Sequence, residues 1–97
     1  MISTVFHPEA QEEYQAAFAW YQAHSRRAAI RFEAEVERVI QLIESNSEGF
    51  PKYDDLHRYA LLRRFPYSIV YQHWVDHIYV IGVVHGSRLP GYWKNRT

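Results

Sequence analysis

The sequence contains no cysteine, only four glycines and four prolines, and no excess of either charge among its 97 residues. Without cysteine, disulfides, thiolate nucleophiles and cysteine-ligated metals are excluded, and the composition fits a reducing cytoplasm. No apolar run approaches the roughly 20 residues of a membrane-spanning helix. The first ten residues, MISTVFHPEA, lack a basic segment followed by an apolar one, so we expect no signal peptide.

Apolar residues make up 47% of the chain and aromatic residues 16%, which is typical of a globular protein. At this length we expect one domain spanning residues 1–97, with a small core that depends on its Tyr, Phe and Trp rings. The charges are divided: residues 1–51 carry four arginines against eight glutamates, and residues 52–97 carry seven basic residues against three aspartates. This division predicts a cationic face for an anionic partner, although helices rich in Glu and strand edges rich in Lys and Arg would also produce it.

The N-terminal half predicts a strand followed by a helical hairpin. Residues 2–6 are mostly β-branched or aromatic and predict a short strand, and Pro8 suits the first position of a helix that ends near Ala23. Ser25 is placed to cap a second helix, which ends near Ser45. Apolar residues at helical spacing predict one buried face for each helix. These residues are Ala10, Tyr14, Ala17, Phe18 and Tyr21 in the first helix, and Ala29, Phe32, Val36, Val39, Ile40 and Ile43 in the second.

The C-terminal half predicts a three-stranded antiparallel β-meander in residues 57–65, 67–74 and 77–85. A tight turn at Asp76-His77 is expected to join the last two strands. Its register pairs Trp74 with Tyr79, Gln72 with Ile81 and Val70 with Val83, and places Ile69, Tyr71, Val80 and Val84 on the other face. The expected fold is α+β with the order β-α-α-β-β-β, both helices lying on one face of a mainly antiparallel sheet. Both faces carry apolar residues, so alternation leaves open which face the helices cover.

The chain ends in a cationic and aromatic tail, VVHGSRLPGYWKNR (83–96), that follows the last predicted strand. Arg, Trp and Tyr are the residue types that dominate binding hot spots. The tail therefore predicts a contact surface for an acidic or hydrophobic partner.

Three stretches together resemble the RelE/ParE superfamily of small bacterial toxins, and its ParE-like branch most closely. They are HPEAQEEYQAAFAWY, the Arg-Phe-Pro-Tyr corner within LLRRFPYSIVYQ, and IYVIGVVHGSRLPGYWKNR. The resemblance covers nearly the whole chain, and Pro90 and Gly91 before Tyr92 match the ParE-like ending. It implies the toxin of a type II toxin–antitoxin system, which arrests growth in the cytoplasm and is neutralised by a cognate antitoxin. It also implies toxin–antitoxin hetero-oligomers that contact DNA only through the antitoxin.

The superfamily contains different targets, and three functions stay open. ParE-like members poison DNA gyrase without cutting nucleic acid, and a function of this kind is the one that we expect. RelE-like members are mRNA endonucleases that act on the ribosome and tend to be strongly basic, whereas this chain has zero net charge. The third function is that of a non-toxic binding or regulatory homologue, which the net neutrality and the scarcity of lysine favour.

The expected site residues depend on which function holds. For a ParE-like binder, the residues expected to contact the target or antitoxin are Arg63, Arg64, Arg88, Tyr92, Trp93, Lys94 and Arg96. For a RelE-like endonuclease, the resemblance implies Arg64 and Arg88 as phosphate contacts, His85 as an acid or base, and Tyr92 as the terminal aromatic residue. We further predict that Arg88→Glu or Trp93→Ala weakens toxicity more than stability.

No cofactor, metal site or membrane contact is expected. Asp54, Asp55 and His57 form a weak metal-like cluster, but this pattern is more typical of a polar loop.

Overall fold

The computed structural model describes residues 2–97 and has the predicted element order β-α-α-β-β-β. The strand β1 (Ser3–Phe6) leads into two helices, α1 (Pro8–His24) and α2 (Arg26–Ser45). A 3₁₀ turn (Ser47–Gly49) and an irregular segment follow. The remaining strands are β2 (Arg58–Leu61), β3 (Tyr67–His73) and β4 (His77–His85).

A single residue, Ser25, separates the two helices. Its N–H donates to Tyr21 O at 2.7 Å and closes α1, while its Oγ accepts from Ala28 N at 3.2 Å and caps α2 as predicted. Because so short a link reverses the chain, the helices are antiparallel neighbours. Their predicted bounds are confirmed, with His24 extending α1 to the residue before the cap.

The four strands form one sheet in the order β1-β4-β3-β2. β2, β3 and β4 pair in the predicted antiparallel meander, and β1 lies parallel to β4 at the other edge. The pairing of β1 ends at Phe6, which lies opposite Val80. Among the described residues, the outer edge of β4 beyond Val80 therefore has no strand partner.

The predicted turn between β3 and β4 is wrong. The connection consists of Val75 and Asp76, since Trp74 N donates to His77 O at 2.9 Å. As a result Tyr79 lies opposite Gln72 and not opposite Trp74. The weak Asp-His signal placed the turn one residue too late.

A β-bulge further changes the pairing of these two strands. Val70 lies opposite Gly82 and Tyr71 opposite Val80, so that Ile81 is an extra residue in β4. Ile69, and not Val70, lies opposite Val83. Because the bulge reverses the alternation of β4, Val84 packs on the opposite face from Ile69, Tyr71 and Val80, contrary to the prediction.

The first strand of the meander is shorter than the predicted 57–65. β2 ends at Leu61 because the corner that follows contains Pro66 and Arg64, whose φ of 67° lies in the left-handed region. The corner projects Arg63 and Arg64 into solvent.

Both helices cover the same face of the sheet, as predicted. The buried residues of α2 are those of its predicted stripe, apart from the half-buried Ile40. They pack against Ile69, Tyr71, Ile78, Val80 and Val83 of the sheet. The ring of Phe32 packs against those of Tyr14, Tyr21, Phe65 and Tyr67. The other face carries a smaller cluster of Val70, Ile81 and Trp93. No helix among residues 2–97 combines the length and apolarity needed to span a membrane.

Candidate partner-binding site

The C-terminal tail folds back over the sheet face that the helices leave uncovered. Gly91, with a φ of 76°, allows the turn that brings Trp93 onto Val70 and Ile81. The Trp93 side chain is 2% exposed, and the rings of Tyr53 and His57 contact it edge-on, with centroids 4.8 and 4.7 Å away. The expectation that Trp93 presents its ring to a partner is therefore wrong. The ring fills the second apolar face because leaving about 150–250 Å² of aromatic surface in water is unfavourable.

The main attachment of this tail is the Glu13 carboxylate of α1, and the more exposed Glu9 lies 3.5 Å from Arg96 Nε. Glu13 Oε1 accepts from Arg96 Nη1 at 2.8 Å and from Val83 N at 3.0 Å. Its Oε2 accepts from Arg96 Nη2 at 3.0 Å and from the Tyr92 hydroxyl. Arg96 Nη1 also donates to Ile81 O at 3.0 Å. We call Glu13, Tyr92 and Arg96 the Glu13 clamp. Its hydrogen bonds to Val83 N and Ile81 O satisfy backbone groups on the part of the β4 edge that β1 does not reach.

In the clamp, Glu13 is an ionised carboxylate and Tyr92 is a neutral phenol. Burial by itself raises the pKa of Glu13, but the hydrogen bonds from Arg96, Tyr92 and Val83 outweigh it and hold that pKa below its ordinary value. Burial, followed by the hydrogen bond to Glu13, raises the pKa of Tyr92 to about 12. The polar groups of Tyr92 and Arg96, both expected to contact a partner, are thus engaged within the chain.

Sequence reasoning missed Glu13, although a signal was present. Glu13 occupies the i+3 position of the buried stripe that begins at Ala10 and continues through Tyr14 and Ala17. A carboxylate at the margin of such a stripe needs a buried partner. The cationic tail contains one.

Arg88 and Lys94 remain exposed, as the contact-surface prediction requires. The Arg88 guanidinium lies 3.9 Å from the centroid of the Tyr92 ring, and the Lys94 ammonium lies 5.1 Å from that of Tyr53. Both side chains therefore rest on aromatic rings with their charges accessible to a partner.

A depression of about 470 Å³ lies between α1 and the end of β4, and we name it the α1–β4 groove. It is lined mainly by apolar groups, with Trp20 of α1 at its wall and Arg88 at its margin. Trp20 is 58% exposed and stacks on His24 with a centroid distance of 4.1 Å. The other lining residues are Glu13, Ala16, Ala17, Tyr21, Pro66, Tyr67, Val83 and His85.

His85 lies half-buried in this groove at the last position of β4. Its Nδ1 lies 3.0 Å from Ser87 N, from which it accepts a hydrogen bond, and its ring meets Tyr67 edge-on at 5.0 Å. These contacts hold the turn that follows the strand. One ring nitrogen is therefore occupied by the backbone.

Arg63 and Arg64 lie elsewhere, at the corner between β2 and β3. The backbone N–H of Arg63 donates to Glu35 of α2, and both arginine side chains line a second depression on that helix. The two depressions share no lining residue. The four residues expected of a RelE-like endonuclease are consequently not gathered in one cavity, since Arg64 lines one depression, His85 and Arg88 line the other, and the Tyr92 hydroxyl is engaged in the clamp.

Asp54 and His57 form a structural network in which His57 is buried and Asp54 is half-buried. His57 is 4% exposed; its Nδ1 lies 2.9 Å from Asp54 Oδ1 and its Nε2 lies 3.0 Å from the side-chain nitrogen of Gln72. Burial favours a raised pKa for Asp54, but the hydrogen bonds from His57 and Leu56 outweigh it and lower that pKa. Both imidazole nitrogens are occupied. Among the described residues, no group of three or more His, Asp or Glu side chains is placed to hold a metal ion.

The chain matches one family model and several solved structures. The family model described as "ParE toxin of type II toxin-antitoxin system, parDE" matches residues 4–90. The fold is similar to a solved structure titled "Chromosomal ParDE TA system from P. aeruginosa", with a TM-score of 0.73 and 14% identity, over 88% of this chain and 96% of that one. At this identity the structural similarity concerns the fold alone. No curated protein sequence matches the chain.

Proposed function

The chain belongs to the ParE toxin family of type II toxin–antitoxin systems, and on that premise we propose that it is the toxin of such a pair. It arrests growth in the cytoplasm by binding an essential target, with DNA gyrase as the first candidate, and a cognate antitoxin neutralises it. The family match over residues 4–90 carries this proposal.

Binding, and not RNA cleavage, is the activity favoured by the arrangement of the side chains. Metal-independent cleavage of RNA needs a base, an acid and cations around one phosphate. In this chain Arg64 lines a different depression from His85 and Arg88, and the Tyr92 hydroxyl donates to Glu13. Zero net charge also disfavours a ribosome-bound enzyme.

We assign the α1–β4 groove to an apolar segment of the antitoxin. Trp20 and Arg88 are of the residue types that dominate hot spots, and they flank a floor made largely of Ala, Tyr and Val side chains. More than half of Trp20 is exposed although its ring is large and apolar. A partner that covers this ring removes unfavourable surface from water.

The proposal is tested by expressing the chain in a bacterial host with and without the adjacent open reading frame. We expect growth arrest that the neighbouring gene relieves, together with inhibition of gyrase supercoiling by the purified protein. Full supercoiling activity at saturating protein would exclude gyrase as the target. Codon-phased mRNA cuts in translating extracts would identify a RelE-like endonuclease, and growth without any defect would identify a non-toxic homologue.

Trp20→Ala tests the groove. Because Trp20 is largely exposed, this change is expected to lower the free energy of unfolding by less than about 1 kcal/mol and to weaken antitoxin binding by about tenfold or more. Trp74→Ala is the control, since Trp74 is 49% exposed at the β3–β4 turn and does not line the groove. Equal antitoxin affinity for the two variants would contradict the assignment.

A further inference from the structure

Five of the chain's eleven basic residues surround one depression on the outer flank of α2. Its volume is about 680 Å³, and we name it the arginine groove. Its walls come from α2 and from the corner between β2 and β3, two segments that are far apart in the sequence. The lining residues are Ser25, Arg27, Ala28, Arg31, Ala34, Glu35, Arg38, Arg63, Arg64 and Phe65.

Only one of the five guanidinium groups is neutralised. Arg38 Nε and Nη2 each donate to Glu35 at 2.8 Å, and this contact is the main reason that the pKa of Glu35 lies below its ordinary value. Within residues 2–97, the other four arginines form no ion pair, and all four are exposed. The groove therefore presents four accessible positive charges around a carboxylate that is already engaged.

Two features of the groove oppose local stability. Arg27 lies in the first turn of α2, which contains no acidic residue, although the helix dipole disfavours cations there. In α1, by contrast, Glu9 is in the first turn and His24 in the last. Arg64 adopts a φ of 67°, which costs a residue with a side chain on the order of 1 kcal/mol. Both features place positive charge in the same depression, which suggests that the depression has a ligand.

We propose that the arginine groove binds an acidic, extended segment of the cognate antitoxin. The carboxylates of this segment pair with Arg27 and Arg31 of α2 and with Arg63 and Arg64 of the β2–β3 corner. This inference rests on the proposed function, because it assigns a second contact to the same partner. It concerns a surface distinct from the α1–β4 groove, with which it shares no lining residue.

The spacing of the charges suits such a segment. Arg27 and Arg31 are one helical turn apart, so their Cβ atoms lie about 5–6 Å from each other. Alternate side chains of an extended strand are about 6.6 Å apart, and each carboxylate can accept two parallel bonds from a guanidinium. Between the charges, Ala28, Ala34 and Phe65 offer an apolar floor for the intervening side chains.

A nucleic acid fits the groove less well. Phosphate backbones are attracted by extended positive surfaces, whereas this chain has no net charge. Glu33 and Glu37 lie on the other flank of α2, where they line a separate depression together with Glu44. A phosphate chain that continued from the groove across α2 would meet these carboxylates, whereas a short acidic segment ends within the groove.

The test compares the charge reversals Arg27→Glu and Arg31→Glu, combined in one variant, with the control Arg26→Glu. Arg26 is exposed at the start of the same helix but does not line the groove. Affinity for the purified full-length antitoxin is measured by titration calorimetry at about 0.1 M and about 0.5 M salt. We expect the double variant to bind at least about 100-fold more weakly, since each charged hydrogen bond contributes roughly tenfold or more. The control is expected to bind within about twofold of the wild type.

Loss of folding does not confound this comparison. Glutamate at position 26 or 27, in the first turn of α2, favours the helix dipole. In the double variant the new carboxylates at positions 27 and 31 lie one helical turn apart, and position 31 lies one turn before Glu35, so repulsion offsets this gain. Both variants are therefore expected to melt near the wild-type temperature, which thermal unfolding checks before affinity is compared. Added salt is expected to weaken the wild-type complex more than that of the double variant.

Unchanged affinity of the double variant for the antitoxin would overturn the inference and leave the proposed function intact. If the wild type does not bind the antitoxin at all, the proposed function fails and this inference fails with it. Binding of a short DNA duplex by the wild type, lost in the double variant while antitoxin binding persists, would assign the groove to nucleic acid instead.

Discussion

Replacing Glu13 by Gln tests whether the Glu13 carboxylate holds the C-terminal tail on the sheet. The change keeps the size of the side chain and removes its charge. Glu13 accepts four hydrogen bonds, two of them from the guanidinium of Arg96. The amide that replaces it has one oxygen for these donors, and in either orientation its NH₂ group faces at least one N–H group of Arg96, with which it cannot bond.

The expected loss follows from these contacts. Hydrogen bonds to a charged group contribute about 1.5–3 kcal/mol each, and glutamine retains part of them. The side chains of Arg96 and Glu13 are 11% and 16% exposed, so water offsets only a small part of what is lost. We therefore expect Glu13→Gln to lower the free energy of unfolding by about 2–4 kcal/mol. For a domain of this size the melting temperature then falls by about 10–25 °C.

The assay is urea unfolding followed by far-UV circular dichroism, with hydrogen exchange of the tail amides as a second observable. Glu12→Gln is the matched control, because Glu12 is an exposed glutamate next to Glu13 in the same helix. Its effect should lie within about 0.5 kcal/mol. Equal stability of the two variants, or unchanged protection of the tail amides in Glu13→Gln, would refute the clamp as described.

Three further predictions follow from the structure. Because the pKa of Glu13 is lowered in the folded state, its contribution to the free energy of unfolding is present above its ordinary pKa of 4.5 and is lost as the pH falls through the folded value. Urea midpoints measured between about pH 3 and pH 7 should therefore fall on acidification, and should fall less steeply in Glu13→Gln. Trp93→Ala should cost about 3–5 kcal/mol in unfolding free energy, against less than about 0.5 kcal/mol for Lys94→Ala, and a near-neutral Trp93→Ala would show that the ring is not core. Arg64→Gly should keep or raise the unfolding free energy by up to about 1 kcal/mol, because glycine relieves the left-handed φ, while antitoxin affinity measured by calorimetry falls; a clear loss of stability would contradict this.

The Trp93 prediction reverses the expectation drawn from the sequence, in which the change weakens toxicity more than stability. The Arg, Trp and Tyr residues of the tail are of the types found in binding hot spots, which predicted that the tail is exposed. For Arg88 and Lys94 this exposure is confirmed. For Trp93 it is wrong, because residue type does not reveal that one face of the sheet lacks a covering layer. The ring supplies that layer.

The strand register could not be predicted from the residue pattern either. Two-residue turns at 75–76 and 76–77 are both compatible with the alternation of apolar residues, and neither has a strong turn dipeptide. The extra residue Ile81 then reverses the faces of the last part of β4. The bulge lies where β1 ends and the Glu13 clamp begins, so it depends on contacts made by residues far apart in the chain.

The order and type of the elements, the caps and buried stripes of the two helices and the family resemblance could all be predicted from the sequence, because they depend on residues within a few positions of each other. Three features became visible only in the folded chain: the sheet face that the helices cover, the bond between Glu13 and Arg96 about eighty residues away, and the groove that Arg27 and Arg31 share with Arg63 and Arg64. These contacts form where two surfaces meet in three dimensions, and local propensity contains no information about which surfaces meet.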